Sequence, residues 1–286
     1  MLPNDEINFI IGYWFARALE LYGAGLEVFA FVFLSNHFHV LLRDTKGTLS
    51  TFMGYFQANV ARAINRRLGR KGAFWQGHYD DKIVDGKNTF WEKYTYVTCN
   101  AVKAGLVDTA AEWIGWSSLE KSLQGGEFSF TAVNRHRYNK ACQNRKKKPE
   151  AKQFEETYAF SLTSPVGLEG KSIAEQAVHI RPLLSDQETK CRALRGDQPS
   201  LGIELIKTQS PIDRPKNPSR SLKKRFACDD NARLKERLAE YRDFIGSFRA
   251  VYGQLQKATK NRKRFHSEWP VGSYPPGERH PVVIES

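Results

Sequence analysis

Two histidines separated by a single residue, His37 and His39, are the clearest pair of metal-binding groups in this sequence. Residues two apart on a β-strand project from the same face, so the two imidazoles would point together. Phe38, Val40 and Leu42 would then face the opposite side and pack against helices. Imidazole nitrogens are frequent ligands of divalent metal ions. The spacing therefore predicts half of a metal site, although two half-buried histidines beside a core would show the same pattern.

A second pattern joins a tyrosine and an amide, Tyr96 and Asn100, four residues apart. On an α-helix, such residues are neighbours on one face. A tyrosine hydroxyl can act as a nucleophile, and an amide oxygen can bind a hard cation. Tyr94 is the competing nucleophile, but successive helical residues rotate by about 100°, so Tyr94 would face the opposite side of the helix. The alternative interpretation is an aromatic core residue beside an Asn that caps the helix end.

Four segments, in this order and at these spacings, carry a resemblance to a known family. They are residues 33–42 (FLSNHFHVLL), 74–79 (FWQGHY), 96–107 (YVTCNAVKAGLV) and 113–118 (WIGWSS). Together they resemble the IS200-like (Y1, HUH-type) transposases, in particular the REP-associated tyrosine transposase branch. The sequence departs from the usual prolines of that branch at Ser35 and Ala101.

The resemblance implies a role for each matching residue. The two metal ligands of the family fall on His37 and His39, its third, polar ligand falls on Asn100, and its nucleophile falls on Tyr96. It implies Mg²⁺ or Mn²⁺ as the cofactor, and cleavage and rejoining of single-stranded DNA beside hairpins through a 5′-phosphotyrosine and a free 3′-OH. A catalytically decayed, hairpin-DNA-binding protein of the same family is the alternative function. Replication-initiator and relaxase nucleases share the histidine pair and are a more distant third interpretation.

The hydrophobic periodicity predicts helices over residues 5–22, 48–68 and 87–104 and strands over 26–34 and 37–43. Helices combined with an antiparallel hairpin predict an α+β fold. The resemblance implies a ferredoxin-like antiparallel sheet with helices packed on one face. Because that family begins with a strand and this sequence starts almost at its first helix, we expect the first strand to be missing.

The composition changes near residue 123, which predicts two parts. We expect a transposase-like catalytic domain over residues 1–122 and a basic, partly disordered C-terminal extension over residues 123–286. The extension should contain a helix over about 230–260. Its basic runs at 145–149 and 219–225 are expected to add an auxiliary DNA contact.

The net charge of +13 and the pI of about 9.6 indicate a polyanionic partner, most often nucleic acid. A basic helix end can contact phosphates, and aromatic rings can stack on the bases of single-stranded or hairpin DNA. A solvated helix end and ordinary core aromatics would explain the same residues. The predicted DNA-binding residues are Arg62, Asn65, Arg66, Arg67, Arg70, Lys71, Trp75 and Tyr79.

The four cysteines are widely scattered and form no CxxC pair, which argues against a zinc knuckle and favours a reducing compartment. The sequence begins without the basic stretch of a signal peptide. No apolar run approaches the roughly 20 residues of a membrane span. We therefore expect a cytoplasmic protein without a membrane partner, while a monomer and a homodimer both stay open.

Overall fold

The computed structural model describes residues 2–77, 79–143, 148–209, 225–261 and 268–270. The helices of these residues are α1 (Asp5–Tyr22), α2 (Leu49–Arg67), α3 (Lys87–Thr98), α4 (Asn100–Lys103), α5 (Leu119–Gln124), α6 (Arg135–Cys142), α7 (Ile173–Arg195), α8 (Ile203–Thr208) and α9 (Asn231–Lys260). The strands are β1 (Leu26–Phe33), β2 (Phe38–Asp44), β3 (Ile83–Asp85), β4 (Glu127–Val133), β5 (Glu155–Ser161) and β6 (Phe226–Cys228). The predicted mixture of helix and strand is confirmed, as are α1, α2, α9 and the β1–β2 hairpin.

The chain divides into two compact units, which do not follow the boundary expected after residue 122. The first comprises Met1–Tyr79 and Trp91–Arg220, and the second comprises Asp80–Phe90 and Ser221–Ser286. Residues beyond 122 join the first unit because β4 and β5 pack against α1. Most of the two basic runs predicted to contact DNA lies outside the described residues. No helix in the described part of the chain is long and apolar enough to cross a lipid bilayer.

β1 and β2 form an antiparallel pair with a register shift between Val28 and Ala30. All six residues from Val28 to Phe33 are buried. Because side chains alternate between the two faces of a strand, both faces of β1 must be covered. Helices therefore contact both sides of this hairpin, and the ferredoxin-like sheet with helices on one face stays a prediction. One face packs on α1 and α2, while α3 contacts the other through Tyr96, which lies against His39.

Phe15 of α1 lies at the centre of an aromatic core and is fully buried. Six rings surround it with centroid distances of 5.3–6.3 Å, most of them near edge-to-face. Such pairs add stabilisation beyond the area that they bury. The six rings belong to Phe31, Phe33, Phe52, Phe56, Trp116 and Phe160.

The segment that follows α4 covers the outer edge of β1. The backbone N–H of Phe33 donates to the Trp116 carbonyl and that of Ser118 donates to the Phe31 carbonyl, both at 2.9 Å. The Trp113 indole N–H donates to the Phe33 carbonyl at 3.1 Å. The WIGWSS motif therefore satisfies the backbone of the strand that precedes the histidines.

The antiparallel pair β4–β5 adds Phe128, Phe130 and Phe160 to the packing around this core. Gly12 of α1 permits the close approach, since a Cβ there would lie 2.2 Å from Cζ of Phe130. Sequence patterns did not predict this pair or α7, which begins with a capping box between Ser172 and Glu175. The alternating phenylalanines of β4 and the Ser-x-x-Glu spacing were the available signals.

In the second unit, β3 and β6 pair in parallel. Asp229 follows β6 and accepts hydrogen bonds from the backbone N–H and the hydroxyl of Thr89, both at 2.6 Å, so it caps the first turn of α3. Asp85 of β3 forms ion pairs with Arg233 and Arg237 of α9, at 2.9 and 2.6 Å. These contacts tie α9 to the small sheet within this unit.

Asp44 connects the end of β2 to the start of α2. Its Oδ1 accepts hydrogen bonds from the backbone N–H groups of Lys46 and Thr48, both at 3.1 Å, and its Oδ2 accepts one from Leu49 at 2.9 Å. The first N–H groups of a helix otherwise lack partners, and the Thr48 side chain makes no capping bond. Burial alone would raise the pKa of Asp44, but the backbone hydrogen bonds outweigh burial and lower the pKa.

Asp44→Ala should lower the free energy of unfolding by about 1–2 kcal/mol at neutral pH, because the start of α2 loses its acceptor. Asp44→Asn keeps one acceptor oxygen and should lose less. The folded pKa lies below the unfolded value of about 3.9, so the stabilisation is present above that value and lost as pH falls through the folded pKa. Urea unfolding of both variants at neutral and acidic pH measures this. A penalty that does not shrink at acidic pH would contradict the assignment.

Candidate active site

β2 and the residue before it present the two histidines. Phe38 pairs with Phe33, and their rings stack within the aromatic core at 5.0 Å between centroids. Because neighbouring side chains alternate, His37 and His39 project from the other side of the hairpin. His37 is exposed and His39 is half-buried.

The helix predicted to carry the tyrosine is interrupted once, where α3 ends at Thr98 and α4 begins at Asn100. The hydroxyls of Thr95 and Thr98 donate to backbone carbonyls one turn earlier, at 3.1 and 2.9 Å. Side-chain bonds of this kind bend helices. Backbone hydrogen bonds of 2.9 and 3.0 Å on the two sides of Cys99 keep the four-residue spacing. Tyr96 and Asn100 therefore stay one turn apart on the same side.

The structure brings these four predicted residues together. The ring centroids of His37 and His39 are 5.0 Å apart, and those of His39 and Tyr96 are 5.4 Å apart, nearly perpendicular in both pairs. The buried Asn100 side chain lies close enough to His37 to act on the pKa of its imidazole as a hydrogen-bond partner. Oδ1 of Asn36 lies 2.6 Å from Nδ1 of His37. Since an amide oxygen only accepts, Nδ1 of His37 is the donor in this contact.

Tyr94, the competing tyrosine, lies in a different environment. Only 1% of its surface is exposed, whereas Tyr96 is half-buried. Burial raises the pKa of Tyr94 to about 12, with a hydrogen bond from Ser122 opposing the shift. The Tyr94 hydroxyl is therefore enclosed by protein, and the Tyr96 side chain is accessible beside the histidines.

The surroundings of both histidines favour the neutral imidazole. Desolvation lowers the pKa of His37, and the hydrogen bond with Asn100 offsets part of that effect. Desolvation, together with the nearby charges of His37 and Lys103, lowers the pKa of His39 to about 4. A neutral imidazole has the free lone pair that metal binding requires.

These donors fit a divalent ion held mainly by two imidazoles. Among the described residues, there is no cluster of three or more His, Cys, Asp or Glu side chains. A third protein ligand would therefore have to be a different kind of donor, and the Asn100 amide is the one adjacent to His37. Imidazole and amide oxygen together suit Mn²⁺ more closely than Mg²⁺, which prefers an all-oxygen site.

Lys103 also belongs to this group, and sequence reasoning did not select it. Its Nζ lies 4.2 Å from the centroid of the Tyr96 ring. The signal was the spacing: seven residues make almost two helical turns, which returns a side chain to the same face. The site therefore combines two imidazoles, an amide, a phenol and an exposed ammonium group.

The residues predicted to contact DNA at the end of α2 are mostly exposed, but several have intramolecular partners. Arg67 pairs with Glu6, and Arg70 lies over the Phe74 ring at 5.9 Å. Asn65 donates to the Gly72 carbonyl at 3.0 Å. The remaining cations of this group are Arg62, which donates to Ala58 and Asn59, and the exposed Arg66 and Lys71.

The two predicted stacking residues are both half-buried. Trp75 donates its indole N–H to the Gln57 carbonyl at 2.9 Å and packs edge-on against Phe38 at 5.6 Å. Its ring therefore supports the strand that carries the histidines. Tyr79 packs against the same aromatic core.

No protein-family model, curated protein or solved structure matches this chain. The function is therefore inferred from the chemistry and geometry of its own residues.

NMR titration of the histidine rings in metal-free protein should show His39 neutral at pH 6 and titrating near pH 4. His39→Gln assigns the signal. Because the folded pKa lies below the unfolded value of about 6.5, neutral His39 stabilises the fold above that value, and this stability is lost as pH falls towards 4. An apparent pKa of 6.5 or higher would show that the ring is solvated and not packed against Tyr96.

Proposed function

We propose that this chain is a metal-dependent transposase or single-stranded DNA endonuclease that acts on hairpin-bearing DNA, with Tyr96 as the nucleophile. One observation carries the proposal: the tyrosine and amide of α3 and α4 meet the two histidines of the β2 segment. Two histidines beside a core would explain His37 and His39, and an amide at a helix end beside a core aromatic would explain Asn100 and Tyr96. Neither explains why the two pairs, distant in sequence, share one position in the fold.

The proposed ligands are His37, His39 and Asn100, with Mn²⁺ or Mg²⁺ as the ion. When bound, such an ion would polarise the phosphate and stabilise negative charge in the transition state. The lowered pKa values of the two imidazoles support this role, because a proton then competes less with the metal ion for the ring nitrogen near neutral pH. The Asn36 carbonyl oxygen fixes the orientation of the His37 ring, as outer hydrogen bonds do for ligating histidines.

In the proposed step, Oη of Tyr96 forms a bond to phosphorus and the bond between phosphorus and the 3′ oxygen breaks. The phenolic proton passes to water, and the departing 3′ oxygen takes up a proton. The products are a 5′-phosphotyrosine on the protein and a DNA strand with a free 3′-OH. A 3′-OH can attack the same linkage in the reverse direction, which allows rejoining.

The charge of the chain supports a DNA partner. The net charge is +13, and the exposed Arg66 and Lys71 at the end of α2 have no ion pair among the described residues. The β1–β2 hairpin packs against α1 and α2, as one part of the ferredoxin-like arrangement that the resemblance implies would require. We further propose that the protein acts in the cytoplasm, where its free cysteines would stay reduced.

Incubation of the protein with labelled single-stranded DNA hairpins of randomised sequence and Mn²⁺ should produce a covalent adduct. Peptide mapping by mass spectrometry should place the nucleotide on Tyr96. Tyr96→Phe should abolish the adduct and spare DNA binding, because it removes one oxygen and keeps the ring. The adduct should also disappear on chelation of the metal.

Tyr94→Phe is the matched control, since it removes a hydroxyl from the same helix on the enclosed side. It should keep the adduct. An adduct that survives Tyr96→Phe and is lost in Tyr94→Phe would overturn the assignment. Binding of hairpins by the wild type without any adduct would favour the alternative, a DNA-binding protein that no longer cuts.

A further inference from the structure

Lys103 occupies a defined position beside the proposed nucleophile. It is the last residue of α4, and its backbone N–H donates to the Cys99 carbonyl at 3.0 Å. Gly105 follows with a φ of +68°, a left-handed conformation that ends the helix. The main chain is thus fixed on both sides of Lys103, and its side chain extends over the Tyr96 ring.

The Lys103 ammonium has no anionic partner in the part of the chain that the structure describes. Its Nζ lies over the face of the Tyr96 ring, 4.2 Å from the centroid, and its charge also acts on His39. At an exposed position such a contact contributes little to stability. The contact is therefore weak enough for the ammonium to move from the ring to an incoming anion.

The geometry limits which anion this can be. An oxygen within bonding reach of the Tyr96 hydroxyl lies beside the ring over which the ammonium is held. Lysine is a common ligand of phosphate, which it binds as a compact point charge with three rotatable donors.

We propose that Lys103 binds the phosphodiester that Tyr96 attacks and holds it in position for the phenol. This inference rests on the proposed function. It adds a cation from the chain itself to the site, separate from the metal ligands and from the basic end of α2. Lys103 touches the reacting phosphate, so its charge contributes both to DNA binding and to the rate of the covalent step.

Three variants separate charge from packing. Lys103→Met keeps a flexible apolar stem over the Tyr96 ring and removes the charge. Lys103→Arg keeps the charge. Lys46→Met is the matched control, because Lys46 is an exposed lysine just beyond the opposite end of β2.

The first measurement is non-covalent binding, made in the Tyr96→Phe background so that no cleavage interferes. The probe is a DNA hairpin with single-stranded arms on both sides, and anisotropy gives the dissociation constant from about 50 to 200 mM KCl. Loss of one phosphate contact on a single strand should reduce the slope of log K against log salt by about 0.7. Lys103→Met should show this reduction, whereas Lys103→Arg and Lys46→Met should not. An unchanged slope in Lys103→Met, or an equal reduction in Lys46→Met, would overturn the proposal.

The second measurement is the rate of adduct formation at saturating DNA and Mn²⁺. Loss of a charge-assisted hydrogen bond should slow Lys103→Met roughly ten- to hundredfold, and Lys103→Arg should restore most of the rate. A role confined to packing would leave Lys103→Met near wild type, which would contradict the proposal. Absence of an adduct in every variant would count against the proposed cleavage alone, because the salt slopes test the phosphate contact independently.

Discussion

The contact between the His39 and Tyr96 rings is the constraint on which the candidate site depends. It joins a strand segment to a helix that follows much later in the chain. The interaction between His37 and Asn100 depends on the same approach, since Asn100 follows Tyr96 by one helical turn. Burial of His39 in this contact also keeps its imidazole neutral by lowering its pKa. A single packing arrangement thus sets the position and the protonation state of the proposed ligands.

The rest of the first unit holds that contact in place from two sides. On one face of the β1–β2 hairpin, the aromatic core around Phe15 fixes Phe38, whose neighbours in sequence are the two histidines. At the edge of β1, the backbone bonds to Trp116 and Ser118 satisfy the strand and anchor the segment that follows α4. Both faces of β1 are buried, whereas at β2 His37 is exposed and His39 is half-buried, so the histidines remain accessible. The His-Phe-His and WIGWSS motifs therefore contribute to the packing of the fold, and the first also supplies the proposed metal ligands.

Local sequence patterns predicted the helices and strands that carry the site, but they did not predict all the segments that pack against those elements. α1 and the hairpin follow from strong periodicity, and the His-x-His and Tyr-x-x-x-Asn spacings were sufficient to predict which side chains share a face. Phe128 and Phe130 pack against the core through contacts between segments that are distant in sequence. The burial of the second face of β1 also depends on such contacts, and hydrophobic periodicity does not predict them. Near the break at Cys99, the Thr98 hydroxyl donates to the Tyr94 carbonyl. A sequence pattern does not show whether a threonine will make this bond. Sequence patterns did not select Lys103, because the feature that distinguishes it from other exposed lysines is its position over the Tyr96 ring.

We propose that His37, His39, Asn100 and Tyr96 surround one metal position. Paramagnetic broadening of the NMR signals of these side chains during titration with Mn²⁺ measures this, because the effect falls steeply with distance from the ion. We expect the His37 and His39 rings to broaden first, followed by the Asn100 amide and the Tyr96 ring, with Tyr94 less affected. Broadening that begins elsewhere, for example at the carboxylates of Asp80, Asp81 and Asp85, and leaves the histidines sharp would contradict it.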